Sequence, residues 1–147
     1  NISHIFRFLP HLKEADLSHN RIMTIEEKTF LMQRGLEKLV LDANKIGEIN
    51  NKSFVGLRSL QVLSIKGNLI EKMEANLFKF TPKLKELNLA RNRIDSVDET
   101  AFKGEWSCRQ STTLYTCLVP LSDARTKRRN IRLGSIIFLV FSSPFLT

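Results

Sequence analysis

A period of 24 residues runs through the first hundred residues of this chain, and no other feature limits its fold as strongly. Asn20, Asn44, Asn68 and Asn92 are 24 residues apart each time, and so are Phe30, Phe54, Phe78 and Phe102. The apolar positions between these markers keep step. Leu12, Leu36, Leu60 and Leu84 open the units, followed by Ala15, Leu39, Leu63 and Leu87 and then Leu17, Leu41, Ile65 and Leu89. Ile22, Ile46, Ile70 and Ile94 stand after the asparagine, with Ile25, Ile49, Met73 and Val97 three residues on. Each unit reads LxxLxLxxNxIxxI, then four variable residues and Phe. A unit this short buries too little apolar surface to offset the entropy of ordering it, so it must fold by stacking on its neighbours as one coil of a solenoid.

Within each unit the LxL alternation has period two, which predicts a short strand with leucines on one face and variable residues on the other. The asparagine falls where the chain turns away from that strand. Its side-chain amide can both donate and accept, so Asn20, Asn44, Asn68 and Asn92 are expected to form a structural ladder that satisfies backbone groups in the turn. The residues between the leucines are expected to face a partner. By lateral row they are Glu14, Lys38, Val62 and Glu86, then Asp16, Val40, Ser64 and Asn88, then Ser18, Asp42, Lys66 and Ala90, with His19, Ala43, Gly67 and Arg91 at the strand ends. Adjacent strands lie about 4.8 Å apart. That spacing predicts ion pairs between neighbouring coils at Glu14–Lys38 and Asp42–Lys66, each contributing no more than about 1 kcal/mol.

These residues resemble a leucine-rich-repeat protein over about residues 9–104. The 24-residue period with a late Phe is similar to the class found in extracellular proteins such as Toll-like receptors, Slit-type guidance proteins and the leucine-rich-repeat and immunoglobulin-like family. The resemblance implies an α/β-type solenoid: an arc with short parallel strands on the concave face and loops or 3-10 turns on the convex face, followed by an irregular tail. The stretch Glu26 to Thr29 leaves no room for a regular convex helix.

Residues 1–11 are expected to be the end of a preceding repeat, because Phe6 lies 24 residues before Phe30. The register there stays open, since Ile2 and Ile5 match the Ile22/Ile25 pair only if that earlier unit is shorter. Four repeats fill residues 12–104, the last ending near Phe102–Gly104, and 105–147 form a non-repeat tail expected to be poorly ordered. Charge follows the same boundary. Residues 1–102 hold 16 Lys/Arg against 13 Asp/Glu, while the remainder holds 7 against 2, so most of the formal +8 belongs to the tail.

Three readings of the tail stand side by side. Trp106-Ser107-Cys108 echoes the Pro-Trp-x-Cys-x-Cys start of a C-terminal cysteine cap, with Cys108–Cys117 as a candidate disulfide. Arg125–Arg129 followed by an apolar stretch from Leu133 to Thr147 resembles a truncated membrane segment, although it is shorter than the roughly 20 residues a span needs. Gly104-Glu105-Trp106 can also be encoded GGT-GAG-TGG, which contains the common start of an intron. On that last reading the tail is translated intron, and its basic run is no nucleic-acid arm.

Catalysis finds no constellation. His4, His11 and His19 have no Ser, Asp or Cys at a spacing that pairs nucleophile with base, and His11-x7-His19 is not a metal-ligand spacing. No enzyme activity, cofactor or metal is expected. The triplets Asn1-Ile2-Ser3 and Asn51-Lys52-Ser53 are candidate glycosylation sites. The expected function is a protein–protein recognition module from a secreted or cell-surface receptor or adhesion protein, binding a protein ligand or co-receptor through the concave strands. Its candidate ligand-binding residues are Glu14, Asp16, Ser18, Lys38, Val40, Asp42, Val62, Ser64, Lys66, Glu86, Asn88 and Arg91. No nucleic-acid partner is expected, and membrane association only through parts of a longer protein. An intracellular scaffold or regulatory subunit using the same face is the alternative.

Overall fold

The computed structural model describes residues 2–98, 100 and 101, together with the backbone of three short strands farther on. In chain order the elements are α1 (Ile2–Phe6), β1 (Glu14–Asp16), β2 (Lys38–Val40), β3 (Val62–Ser64), β4 (Lys72–Met73), β5 (Glu86–Asn88), β6 (Ser96–Val97), β7 (Gln110–Ser111), β8 (Leu114–Thr116) and β9 (Val140–Phe141). The four LxL segments pair as a parallel sheet in the order β1-β2-β3-β5. Its register steps by one repeat per strand: Ala15 opposes Leu39, Leu39 opposes Leu63, and Leu63 opposes Leu87. Parallel strands need a crossover, and here the turns and loops of each coil supply it. The described backbone beyond residue 101 forms the antiparallel pairs β7–β8 and β8–β9.

Burial follows the period. Leu36, Leu39, Leu41 and Ile46 in the second unit and Leu60, Leu63, Ile65 and Ile70 in the third are fully buried. In the first unit the corresponding Leu12, Ala15, Leu17 and Ile22 are only partly buried, because β1 is the edge strand of the described sheet. Ile25 and Phe30 of the same unit are nevertheless buried. Phe6, the last residue of α1, packs against Phe30, edge to face at 5.0 Å between ring centroids. Phe54 and Phe78 stack at 5.9 Å. Such pairs add about 0.5–1.5 kcal/mol beyond the area they bury.

The asparagines tie each coil to the one before. Asn68 Oδ1 accepts the Ile46 N–H at 3.0 Å, while its amide nitrogen donates to the carbonyls of Leu41 at 3.0 Å, Ile65 at 3.1 Å and Lys66 at 3.3 Å. Asn44 repeats the pattern on Ile22, Leu17, Leu41 and Asp42. Asn92 does so on Ile70, Ile65, Leu89 and Ala90. Asn20 keeps only its own-coil bonds to the Leu17 and Ser18 carbonyls and is exposed.

Several features go beyond the sequence expectations. The residue before each asparagine is left-handed, with φ of 55° at His19, 52° at Ala43, 68° at Gly67 and 55° at Arg91. Only one of the four is the glycine that such a conformation favours. On the way out of the turn, Thr24 bridges Glu48 and β4 pairs with β6, so the segment expected as loops or 3-10 turns carries a second run of parallel pairing. Gly56, at φ 104°, brings its backbone so close to the preceding coil that an added Cβ would stand 2.2 Å from the Phe30 carbonyl oxygen. Beside the Phe column lies another buried column, Thr29, Ser53, Leu77 and Ala101. Asn1, Phe102, Cys108 and Cys117 lie outside the described residues, and with them the candidate disulfide and the first glycosylation triplet.

Candidate binding face

Because successive side chains of a strand point to opposite faces, burying Leu39, Leu63 and Leu87 turns their neighbours outward. Glu14, Lys38 and Glu86 are exposed, and Val62, Val40, Ser64 and Asn88 half-buried, along one continuous four-strand face. Ladder register sets the lateral order: Glu14 beside Lys38, Lys38 beside Val62, Val62 beside Glu86. The next row runs Asp16, Val40, Ser64, Asn88. Val40 and Val62 therefore sit diagonally on neighbouring strands. They form a small apolar step with Lys38 directly opposite Val62 and Lys66 two residues beyond Ser64.

Not all twelve candidate residues are free to meet a ligand. Asp16 Oδ1 accepts the Ser18 N–H at 2.9 Å, and Asn88 Oδ1 accepts the Ala90 N–H at 3.0 Å. Both close a two-residue turn at the end of their strand. In the third coil the residue at this place is Ser64, too short to do the same. Asp42 of the neighbouring coil takes over, accepting the Ser64 hydroxyl at 2.6 Å and the Lys66 N–H at 2.8 Å on one carboxylate oxygen. Five polar members of the face, Asp16, Ser18, Asp42, Ser64 and Asn88, thus hold the strand ends in place. Hydrogen bonds from the Ser18 hydroxyl and N–H, with smaller attractions from His19 and Lys38, hold the Asp16 carboxyl below its ordinary value of 3.8 against a small opposing effect of burial.

The expected ion pairs are replaced by others. Asp42 meets Lys66 through the backbone N–H, and the side chains of Glu14 and Lys38 do not pair although their Cα atoms are opposed. Among the described residues the ion pairs are Lys13–Glu37 and Glu27–Lys52, each at 3.0 Å. The first lies one position earlier in the coil, where Lys85 also donates to Gln61 at 3.0 Å. These contacts stitch coils laterally along the edge of the face. The side chains left facing outward are Glu14, Lys38, Val40, Val62, Lys66 and Glu86, with Arg91 at the end of the fourth strand.

His4, His11 and His19 are exposed, and His4 packs edge-on against Phe8 at 5.3 Å. No three His, Cys, Asp or Glu side chains among the described residues come together to hold a metal ion, and no described helix is long and apolar enough to cross a membrane. What the face offers is a curved array of charge flanking a short apolar step.

The leucine-rich-repeat family model, described as "Leucine rich repeat", matches residues 34–94 and again 59–107, and the two matches together span half of the chain. The chain belongs to the leucine-rich-repeat family. Among solved structures it is similar to the Toll–Spatzle complex, described as a molecular hub in Drosophila development and innate immunity. That match has a TM-score of 0.63 at 24% identity and covers 68% of this chain. A second similar structure is a TLR13–ssRNA13 complex, with a TM-score of 0.53 at 24% identity over 69% of this chain. This chain spans 13% and 18% of the lengths of those two proteins. Comparison with curated proteins returns no match. At this identity the likeness is one of fold, and it identifies the four-strand sheet as the parallel sheet of a leucine-rich-repeat arc.

Proposed function

We propose that this leucine-rich repeat is a recognition module of a secreted or cell-surface protein and that it binds a protein ligand through the outward face of β1, β2, β3 and β5. The observation that carries the reading is the Val40–Val62 step between Lys38 and Lys66. It is a small desolvatable surface bordered by two lysines that form no ion pair among the described residues. Apolar centres ringed by polar groups are where binding energy concentrates. The 24-residue period with its late Phe supports the extracellular half of the proposal. So does the likeness in fold to Toll, solved in complex with Spatzle.

The test is a binding screen of the expressed chain against a panel of extracellular protein domains, followed by charge reversal on both sides of any hit. Lys38→Glu, Lys66→Glu and Glu86→Lys are expected to weaken binding at least about tenfold, the size of a modest hot spot. Lys45→Glu and Lys72→Glu, which lie off the strand face, leave it unchanged. A ligand lost only with the second pair would overturn the assignment of the face. Surface labelling of the full-length protein in its own cells tests the location separately.

A further inference from the structure

The triplet Asn51-Lys52-Ser53 is surface by its asparagine and core by its serine. Asn51 is exposed, but Ser53 is 1% exposed and stands in the buried column with Thr29, Leu77 and Ala101. Its hydroxyl oxygen accepts the Asn50 N–H at 3.0 Å, and its own N–H donates to the Asn50 carbonyl at 3.0 Å. Asn50 Oδ1 in turn accepts the Lys52 N–H at 2.8 Å. Lys52 is tied to the preceding coil through Glu27 at 3.0 Å, and Phe54, the next residue, is fully buried. The triplet is therefore a closed turn, anchored at both ends, with its hydroxyl turned inward.

Resting on the extracellular reading above, we propose that Asn51 is an N-glycosylation acceptor that can be loaded only before the second and third repeats close around Ser53. The transferring enzyme has to engage the serine hydroxyl as well as the asparagine amide, in an extended triplet that fits its own cleft. In the reaction a lipid-linked diphosphate oligosaccharide is the donor. Its anomeric C–O bond to phosphate breaks, a C–N bond to Asn51 Nδ2 forms, one amide proton passes to a base of the enzyme, and the lipid diphosphate departs. None of this can reach Ser53 in the folded coil without opening the turn and withdrawing Phe54 from the core. Once attached, the glycan is tolerated, because the Asn51 side chain lies in solvent on the stretch between Ile49 and Phe54. It also leaves the strand face clear, so loading does not compete with the ligand.

The experiment supplies the delivery step artificially, so that it does not depend on where the native protein resides. The full chain behind a cleavable secretion signal is translated with microsomes. In a second arm the purified folded chain, and the same chain unfolded in urea and diluted, are offered to solubilised oligosaccharide transferase with its lipid-linked donor. Occupancy at Asn51 is read by mass spectrometry. Modification is expected in the microsomal and freshly unfolded samples, and at least about tenfold less in the folded one, in proportion to its locally open fraction. Asn51→Gln abolishes the signal. Ser53→Thr retains it in the microsomal arm, since Thr29 shows that threonine fits this column. Equal rates on folded and unfolded chain would refute the timing, and absence of modification in every arm would refute the site. A failure of the native protein to reach the cell surface would count against the function proposed above and leave these arms unaffected.

Discussion

Replacing Asn68 by alanine should cost this protein far more than the same change at Asn20, although the two residues occupy the same place in their repeats. Asn68 is 3% exposed. Its Oδ1 is the acceptor for the Ile46 N–H, and its two amide hydrogens are shared among three carbonyls, two on its own coil and one on the coil before. The Leu41 and Ile65 carbonyls keep a second donor, in Asn44 and Asn92 respectively, so their loss is partial. The Ile46 N–H keeps none, and it lies beside a fully buried side chain where water has no access. An orphaned buried N–H costs about 1–3 kcal/mol and each lost neutral bond about 1 kcal/mol, giving a total of about 3–5 kcal/mol. At Asn20 the bonds are to the Leu17 and Ser18 carbonyls on the open edge, where water replaces the amide, and Leu17 keeps its donor from Asn44. That change should cost under about 1 kcal/mol. Urea unfolding of the two variants measures the difference, with a midpoint for Asn68→Ala lowered by about 1–2 M at an ordinary slope. Amide exchange adds a local readout, because the Ile46 N–H should lose protection selectively. Two variants within about 0.5 kcal/mol of each other would refute the claim that the asparagine column couples the coils.

Two other perturbations separate local causes. Gly56→Ala places a Cβ 2.2 Å from the Phe30 carbonyl oxygen and 2.6 Å from the Leu31 Cα, both backbone, and should destabilise by more than about 3 kcal/mol or prevent folding. Gly67→Ala meets nothing nearer than 3.6 Å, and the same position is alanine in the second repeat, so a cost of about 1 kcal/mol is expected in thermal or urea unfolding. The lowered Asp16 carboxyl sets a pH dependence of known sign. A depressed folded value means its stabilising effect is complete above its ordinary 3.8 and is lost as the pH falls through the lower folded value. Asp16→Asn should therefore be slightly less stable than the natural chain at neutral pH, where the carboxylate's contribution is complete, and the two should converge as the pH falls below about 4, which flattens the variant's profile there.

What could be read from the chain is what repeats. Asparagine at every 24th residue and leucines in step gave the strands, their parallel order and the ladder, because any error in one unit is corrected by the next. Features made by one coil against another escaped. Gly56 lies in the variable stretch, and only the approach of the Phe30 carbonyl reveals why it lacks a side chain. The column Thr29, Ser53, Leu77 and Ala101 mixes polar and apolar residues, so its burial has no hydropathy signal. On the face, opposed Cα atoms at Glu14 and Lys38 did not become an ion pair, since long side chains choose among several neighbours. Lys13 and Glu37 found the shorter route one position earlier. Asp42 was readable as a surface charge, but its use by Ser64 and the Lys66 backbone depends on the third coil having a serine where the first and fourth have Asp16 and Asn88. Helix α1 spans five residues, too few for a period to register in the sequence.

Lysine labelling with and without a bound protein ligand tests the functional claim most directly. Lys38 and Lys66 stand on the outward strand face, while Lys45 and Lys52 lie on the loops that leave it and Lys72 in β4, outside the four-strand sheet. With a ligand seated on the strands, acylation of Lys38 and Lys66 should fall several-fold while Lys45, Lys52 and Lys72 react as in the free chain. Protection of Lys45, Lys52 and Lys72 with Lys38 and Lys66 still fully reactive would contradict recognition through this face.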